Sequence, residues 1–166
     1  YVDGDLSHFE GLVFEHHKVA PGPVDPAAVP VHMAQVEVDL TYNRDRAAAL
    51  SAQEFVVRPT GYYAAPGDIV TVRVPSSLVN QGLSVIVGHH YRNLEYVEVL
   101  NYNRFPDISA EYQITGTSIQ VANPFGGGLY IKVPEGTNIG ETNIVIEEAI
   151  KSPYFSWREG KHTDVN

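Results

Sequence analysis

No cysteine occurs in the 166 residues. Disulfide frameworks, thiolate zinc sites and cysteine nucleophiles are therefore excluded together. Lysine and arginine never cluster, and the formal net charge is −9. This balance argues against nucleic acid, where affinity comes mainly from neutralised phosphates, and against anionic membrane surfaces. No apolar run approaches the roughly 20 residues of a spanning helix. No signal peptide is present and the chain opens on Tyr1, so it is expected to be a mature or excised fragment. Neither H-E-x-x-H nor G-x-S-x-G occurs, which leaves a local zinc-peptidase helix and a serine elbow without support. A phosphate cradle is also unsupported. The glycines Gly126, Gly127 and Gly128 lead into the β-like run 129–133, whereas an anion-binding loop needs a helix N-terminus.

What is present is β punctuation. Hydrophobic content of 43% and charged content of 19% suit a folded domain with a genuine core. Prolines 21, 23, 26 and 30 make 20–30 an extended connector. Val36, Val38 and Leu40 alternate with Glu37 and Asp39, predicting a strand over 31–42 with one solvated face. Residues 45–54 form the one good helical stretch. Strands are predicted at 69–74, 83–87, 96–100, 112–114, 119–121, 129–133 and 143–147. Thr115-Gly116-Thr117 reads as a hairpin turn and 134–142 as a polar loop. Short strands at about ten-residue spacing are the pattern of a sandwich. The expected fold is all-β: a jelly-roll-like β-sandwich over 31–166, with one short helix and an irregular Pro-rich N-terminal arm over 1–30. Three glycines at a strand entrance imply a tightly packed crossing.

Seven histidines invite a metal reading. The pairs His16-His17 and His89-His90 point to opposite faces of an extended chain and cannot chelate locally. A site assembled from His90, Glu95 and Glu98 stands against structural or surface histidines, and no metal site is assigned. Asp3-Gly4-Asp5 with Glu10 is similar to a calcium-loop fragment, but the glycine order is wrong. A solvated terminal segment is the preferred reading. The aromatic residues, among them Tyr62, Tyr63, Tyr91, Tyr96, Phe105, Phe125, Tyr130 and Trp157, suit either a sugar-stacking platform or a core and domain interface.

Several segments, read in order, resemble one family. They are 59–67 (Pro-Thr-Gly-Tyr-Tyr-Ala-Ala-Pro-Gly), 82–90 (Gly-Leu through Val-Gly-His-His), 103–106 (Asn-Arg-Phe-Pro), 122–131 (Ala-Asn-Pro-Phe-Gly-Gly-Gly-Leu-Tyr-Ile), and 147–155. Together they look like the β-sandwich half of the enhancin-like, mucin-targeting zinc metallopeptidases, peptidase family M-60 and its relatives. The likeness covers about residues 55–157. The family's I-G-x-H-x-D is Val87-Gly88-His89-His90-Tyr91-Arg92 here, so the acidic position is lost, and Gly128 is an extra glycine. The resemblance implies a non-catalytic accessory module of a secreted or cell-surface peptidase acting on O-glycosylated proteins. Its partners would be an adjoining catalytic domain, which would hold zinc, and an O-glycosylated protein or mucin glycan. This chain itself is expected to hold no cofactor. The alternatives are a free-standing glycan-binding module or adhesin fragment, and a hydrolase with an unrecognised site. His89, His90, Tyr91, Arg92, Tyr96 and Arg104 are the candidate binding residues, because this loop mixes aromatic, basic and amide groups. Gly126, Gly127, Gly128 and Tyr130 are the candidate structural motif.

Overall fold

A computed structural model describes residues 5–43, 54–88, 105, 107–153, 155–156 and 160–162. Ten strands are present among them: β1 (Val31–Tyr42), β2 (Phe55–Ala64), β3 (Val70–Arg73), β4 (Ser84–Val87), β5 (Ala110–Gln113), β6 (Ser118–Val121), β7 (Gly127–Pro134), β8 (Thr137–Lys151), β9 (Phe155–Ser156) and β10 (Lys161–His162). The first eight form one folded-over sheet in the order β5-β4-β7-β2-β8-β3-β6, with β1 paired to β8. One layer is β1-β8-β3-β6 and the other β5-β4-β7-β2, all pairings antiparallel. The fold is all-β, a sandwich nearly closed into a barrel.

The side-chain period of two builds the core. Along β7 the residues Leu129, Ile131 and Val133 are buried and those between are half-buried. Val38 and Leu40 of β1, Val70 and Val72 of β3, Val85 and Val87 of β4, and Ile144 and Ile146 of β8 face them in the same cluster. Each such side chain contributes about 1.5–3 kcal/mol when fully buried.

β8 joins the two layers. Its residues Val145–Glu147 pair with β3, whereas Ile150 and Lys151 pair with Tyr63 and Tyr62 of β2. Glu148, between these two pairings, has φ +60°. A residue in this conformation departs from the regular pleat where the strand passes from one layer to the other.

Three expectations need correction. Residues 55–64 form a full strand that the alternation did not announce. Residues 112–114 and 119–121 are not a hairpin: β5 pairs with β4, and β6 pairs with β3 in the other layer. The span 134–142 is not a loop. β8 begins at Thr137, and Glu135 and Gly136 alone turn the corner, their N–H groups donating to the Glu54 and Tyr42 carbonyls at 2.9 Å each. Within the irregular arm, residues Ser7–Phe9 and Glu15–Lys18 form 3-10 turns, and Leu6 is buried in the core. The predicted helix 45–54, apart from Glu54 at its end, and the predicted strand 96–100 lie outside the described residues.

Candidate functional site

The strand ends around the glycine run form a tight knot. Asn123, only 3% exposed, lies just past β6. Its Nδ2 donates to the Val87 carbonyl at 3.0 Å and to the Ile108 carbonyl at 2.8 Å, and its Oδ1 accepts from the Phe125 N–H at 3.0 Å. Val87 ends β4 and Ile108 leads into β5, so one amide fastens both ends of the excursion between them. All its strong hydrogen-bonding capacity but one lone pair is used, as burial demands.

The glycines make that knot compact. A Cβ on Gly127 would stand 2.5 Å from the Gly88 Cα and 2.6 Å from its nitrogen. The Gly88 N–H donates to the Gly128 carbonyl at 2.9 Å. Gly126, at φ +66°, has no room for a side chain against the Ala64 carbonyl and Pro66. Beside Gly128 lies the ring of Tyr130, whose atoms would stand 3.0 Å from an added Cβ. Burial pushes the phenols of Tyr130 and Tyr63 above their ordinary range because the phenolate is poorly solvated there.

Aromatic residues collect on the outside of the knot. Phe125, mostly buried, meets Phe14 of the arm at 5.0 Å and Phe105 at 5.2 Å between ring centroids, both edge to face. His16 meets Phe105 at 5.6 Å. Phe14 and Phe105 are 43% and 48% exposed, and Leu12 and Val13 add further exposed apolar surface. The arm is held there by backbone bonds, Gly11 N–H to the Gly67 carbonyl at 2.9 Å and Phe14 N–H to the Pro124 carbonyl at 3.0 Å. The arrangement offers flat apolar surface beside imidazole donors, which can bind through stacking and hydrogen bonding.

The candidate residues His89, His90, Tyr91, Arg92, Tyr96 and Arg104, and with them Glu95 and Glu98, all lie outside the described residues. Gly88 and Phe105 flank that span. Asp3 also lies outside. Asp5 is engaged locally, accepting from the Ser7 N–H and Oγ at 2.8 Å each, and these bonds hold its carboxyl below the usual range. Among the described residues, no three His, Asp or Glu side chains come together as a metal-binding group. None of the described helices is long and apolar enough to cross a membrane. Sequence reasoning missed Asn123 as the fastening residue, although the Asn-Pro-Phe-Gly segment was conspicuous. It also missed Phe14 and His16, whose meeting with Phe105 depends on the path of the arm.

The described residues thus form an all-β sandwich with one edge drawn tight by glycines. Residues 31–147 match the family of N-terminal domains of M60-like peptidases, and the chain belongs to that family. TRPM8 channel-associated factor 3 of Rattus norvegicus is 32% identical over 104 residues, covering 63% of this chain and 11% of that protein. TRPM8 channel-associated factor 2 of Mus musculus is 28% identical over 124 residues, covering 75% and 12%. Among solved structures, the IMPa metallopeptidase from Pseudomonas aeruginosa superposes with a TM-score of 0.54 at 16% identity, covering 81% of this chain and 15% of that one. A structure of IMPa in complex with an O-glycopeptide gives 0.51 at 19% identity, covering 75% and 13%. At these identities the structural likeness shows the shared fold. The chain thus spans 11 to 15% of the length of these proteins.

Proposed function

We propose that this domain is a non-catalytic accessory module of an M60-like zinc metallopeptidase acting on O-glycosylated proteins, working at the cell surface or after secretion. The family match over residues 31–147 carries this reading. The fold shared with IMPa, a metallopeptidase whose structure is known in complex with an O-glycopeptide, supports it. In this role the catalytic zinc belongs to an adjoining domain, and the sandwich presents a rigid binding edge. His89, His90, Tyr91, Arg92, Tyr96 and Arg104 are the residues proposed to contact the glycoprotein. The Asn123 clamp on Val87 and Ile108 supports that assignment, because a recognition loop gains affinity when its base is fixed.

The test is titration calorimetry of the chain with an O-glycopeptide, alongside a cleavage assay in the presence of zinc. Binding without cleavage is expected, weakened at least fivefold by Tyr91→Ala or Arg104→Ala. Absence of binding, or cleavage by this chain that a chelator abolishes, overturns the assignment. The TRPM8 channel-associated factors favour a second reading, a protein-binding module with no demand for sugar. Equal affinity for the deglycosylated peptide would select it.

A further inference from the structure

The edge of β1 away from β8, unpaired among the described residues, carries an inference independent of the glycoprotein reading. β1 is a 12-residue strand whose described strand partner is β8 alone. The edge strands β5 and β6 have four residues each, and ten-residue β2, at the end of the other layer, is joined to β8 at Tyr62 and Tyr63. Near its C-terminal end, the edge of β1 is blocked. Arg58 donates from Nε to the Asp39 carbonyl at 3.0 Å and from Nη2 to the Thr41 carbonyl at 2.6 Å, and the Thr41 N–H donates to Asp39 Oδ1 at 3.0 Å. These backbone groups therefore turn away from β8. Backbone orientation alternates along a strand, and the register with β8 is unbroken from Val31 to Asp39. The N–H and C=O groups of Val31, Met33, Gln35 and Glu37 consequently face outward on the same side.

Nothing among the described residues blunts that half. It contains no proline, bulge or lysine, the usual devices against edge pairing. Met33 is 59% exposed, and Gln35 and Glu37 are exposed. The neighbouring outer face carries Glu37, which is exposed, and Glu147, which Arg73 holds at 2.7 Å. We propose that Val31–Glu37 is a β-augmentation site that accepts an extended, basic polypeptide segment as an added strand. The main chain supplies affinity through alternate N–H and C=O groups, and the exposed Glu37 carboxylate within the window selects lysine or arginine opposite it. The block at Asp39 and Thr41 ends the docking window.

The probe is a synthetic decapeptide alternating lysine with valine and threonine, followed by amide hydrogen exchange resolved by NMR. At saturating peptide, the Met33, Gln35 and Glu37 amides are expected to exchange at least tenfold more slowly. The Ala34 and Val36 amides, already paired with β8, should not change. Gln35→Pro removes an outward N–H without touching the β8 ladder, so it should abolish binding at unchanged secondary structure. Glu37→Lys, a milder variant, should weaken binding several-fold, and a matched peptide alternating glutamate should not bind. Unchanged exchange at the three amides overturns the proposal, as does equal binding of the glutamate peptide. Protection without peptide that grows with protein concentration, alongside a doubled sedimentation mass, would assign the edge to a second copy instead.

Discussion

Replacing Gly127 by alanine should be among the most damaging single-methyl additions in this domain. The new Cβ would lie 2.5 Å from the Gly88 Cα, 2.6 Å from its nitrogen and 3.3 Å from the Val87 carbonyl carbon, at φ +152°. All three are backbone atoms, so no side chain can rotate away. Gly88 itself cannot retreat freely, since its N–H is bonded to Gly128 and its own Cβ position faces the Ile108 carbonyl at 3.2 Å. Overpacking typically costs about 1–3 kcal/mol and a disfavoured backbone region about 1–3 kcal/mol more. A loss of roughly 3–5 kcal/mol is therefore expected, equivalent to a fall in Tm on the order of 10 °C for a chain of this size. Gly140→Ala is the control. It stands at φ +83° with nothing within 4 Å of the added carbon, so it bears conformational strain alone, about 1–2 kcal/mol. Urea denaturation of both variants, compared at equal m, reads the difference. If Gly127→Ala costs no more than Gly140→Ala, the close approach of the two strands is not what that glycine provides.

Four further perturbations follow from hydrogen bonding and burial. Asn123→Ala leaves the Val87 and Ile108 carbonyls and the Phe125 N–H without their partner and should cost about 3 kcal/mol, with Asn123→Asp also destabilising because it cannot donate; denaturant midpoints check both. Tyr112 donates to the Ala122 carbonyl at 2.5 Å and accepts from the Ala122 N–H at 3.1 Å, so Tyr112→Phe should cost about 1–2 kcal/mol. Burial raises the pKa of Tyr63, Tyr112 and Tyr130 above the ordinary range of a tyrosine phenol. Their unfolded forms therefore ionise first. Stability against urea should hold below about pH 10 and fall above it, with a shallower fall in Tyr63→Phe. Arg58→Ala removes both charge-assisted bonds to β1 and should cost about 2 kcal/mol while speeding amide exchange at Thr41.

The parts of the fold that could be read from the chain were those where local pattern and tertiary burial agree. β1 alternates because one face meets the core and the other meets water, and Val36, Val38 and Leu40 announce it. β2 escaped because its pairing with β7 shifts between Pro59 and Tyr63. There the Thr60 hydroxyl donates to the Leu129 carbonyl at 2.8 Å and accepts from the Tyr62 N–H at 3.3 Å, and Gly61 sits at φ +79°. Such an irregularity erases the period of two over the residues a reader would count. Thr115-Gly116-Thr117 carries hairpin chemistry, yet it connects different layers. Turn residues specify a change of direction and cannot specify which strand is met afterwards. The start of β8 escaped for a different reason: Asn138, Glu141 and Asn143 are exposed along its ladder with β1, and polarity there imitates a loop.

The same distinction governs the site. Aromatic and basic residues at 89–104 attract notice because their side chains bear recognisable chemistry. Asn123 bears none that a sequence distinguishes from an ordinary turn asparagine, and its role arises only when Val87 and Ile108 arrive from separate strands at 3.0 and 2.8 Å. The edge of β1 is similar. Its amphipathic pattern predicts the strand, but an unpaired edge is a statement about neighbours. Arg58, 17 residues beyond Thr41, decides where that edge stops. Residues that contact a ligand therefore announce themselves by composition, whereas residues that aim or delimit a surface emerge from register. The comparison of Asn123→Ala with Arg58→Ala separates these devices. The first should loosen the base of the 89–104 excursion and leave exchange along β1 unchanged, and the second should do the reverse.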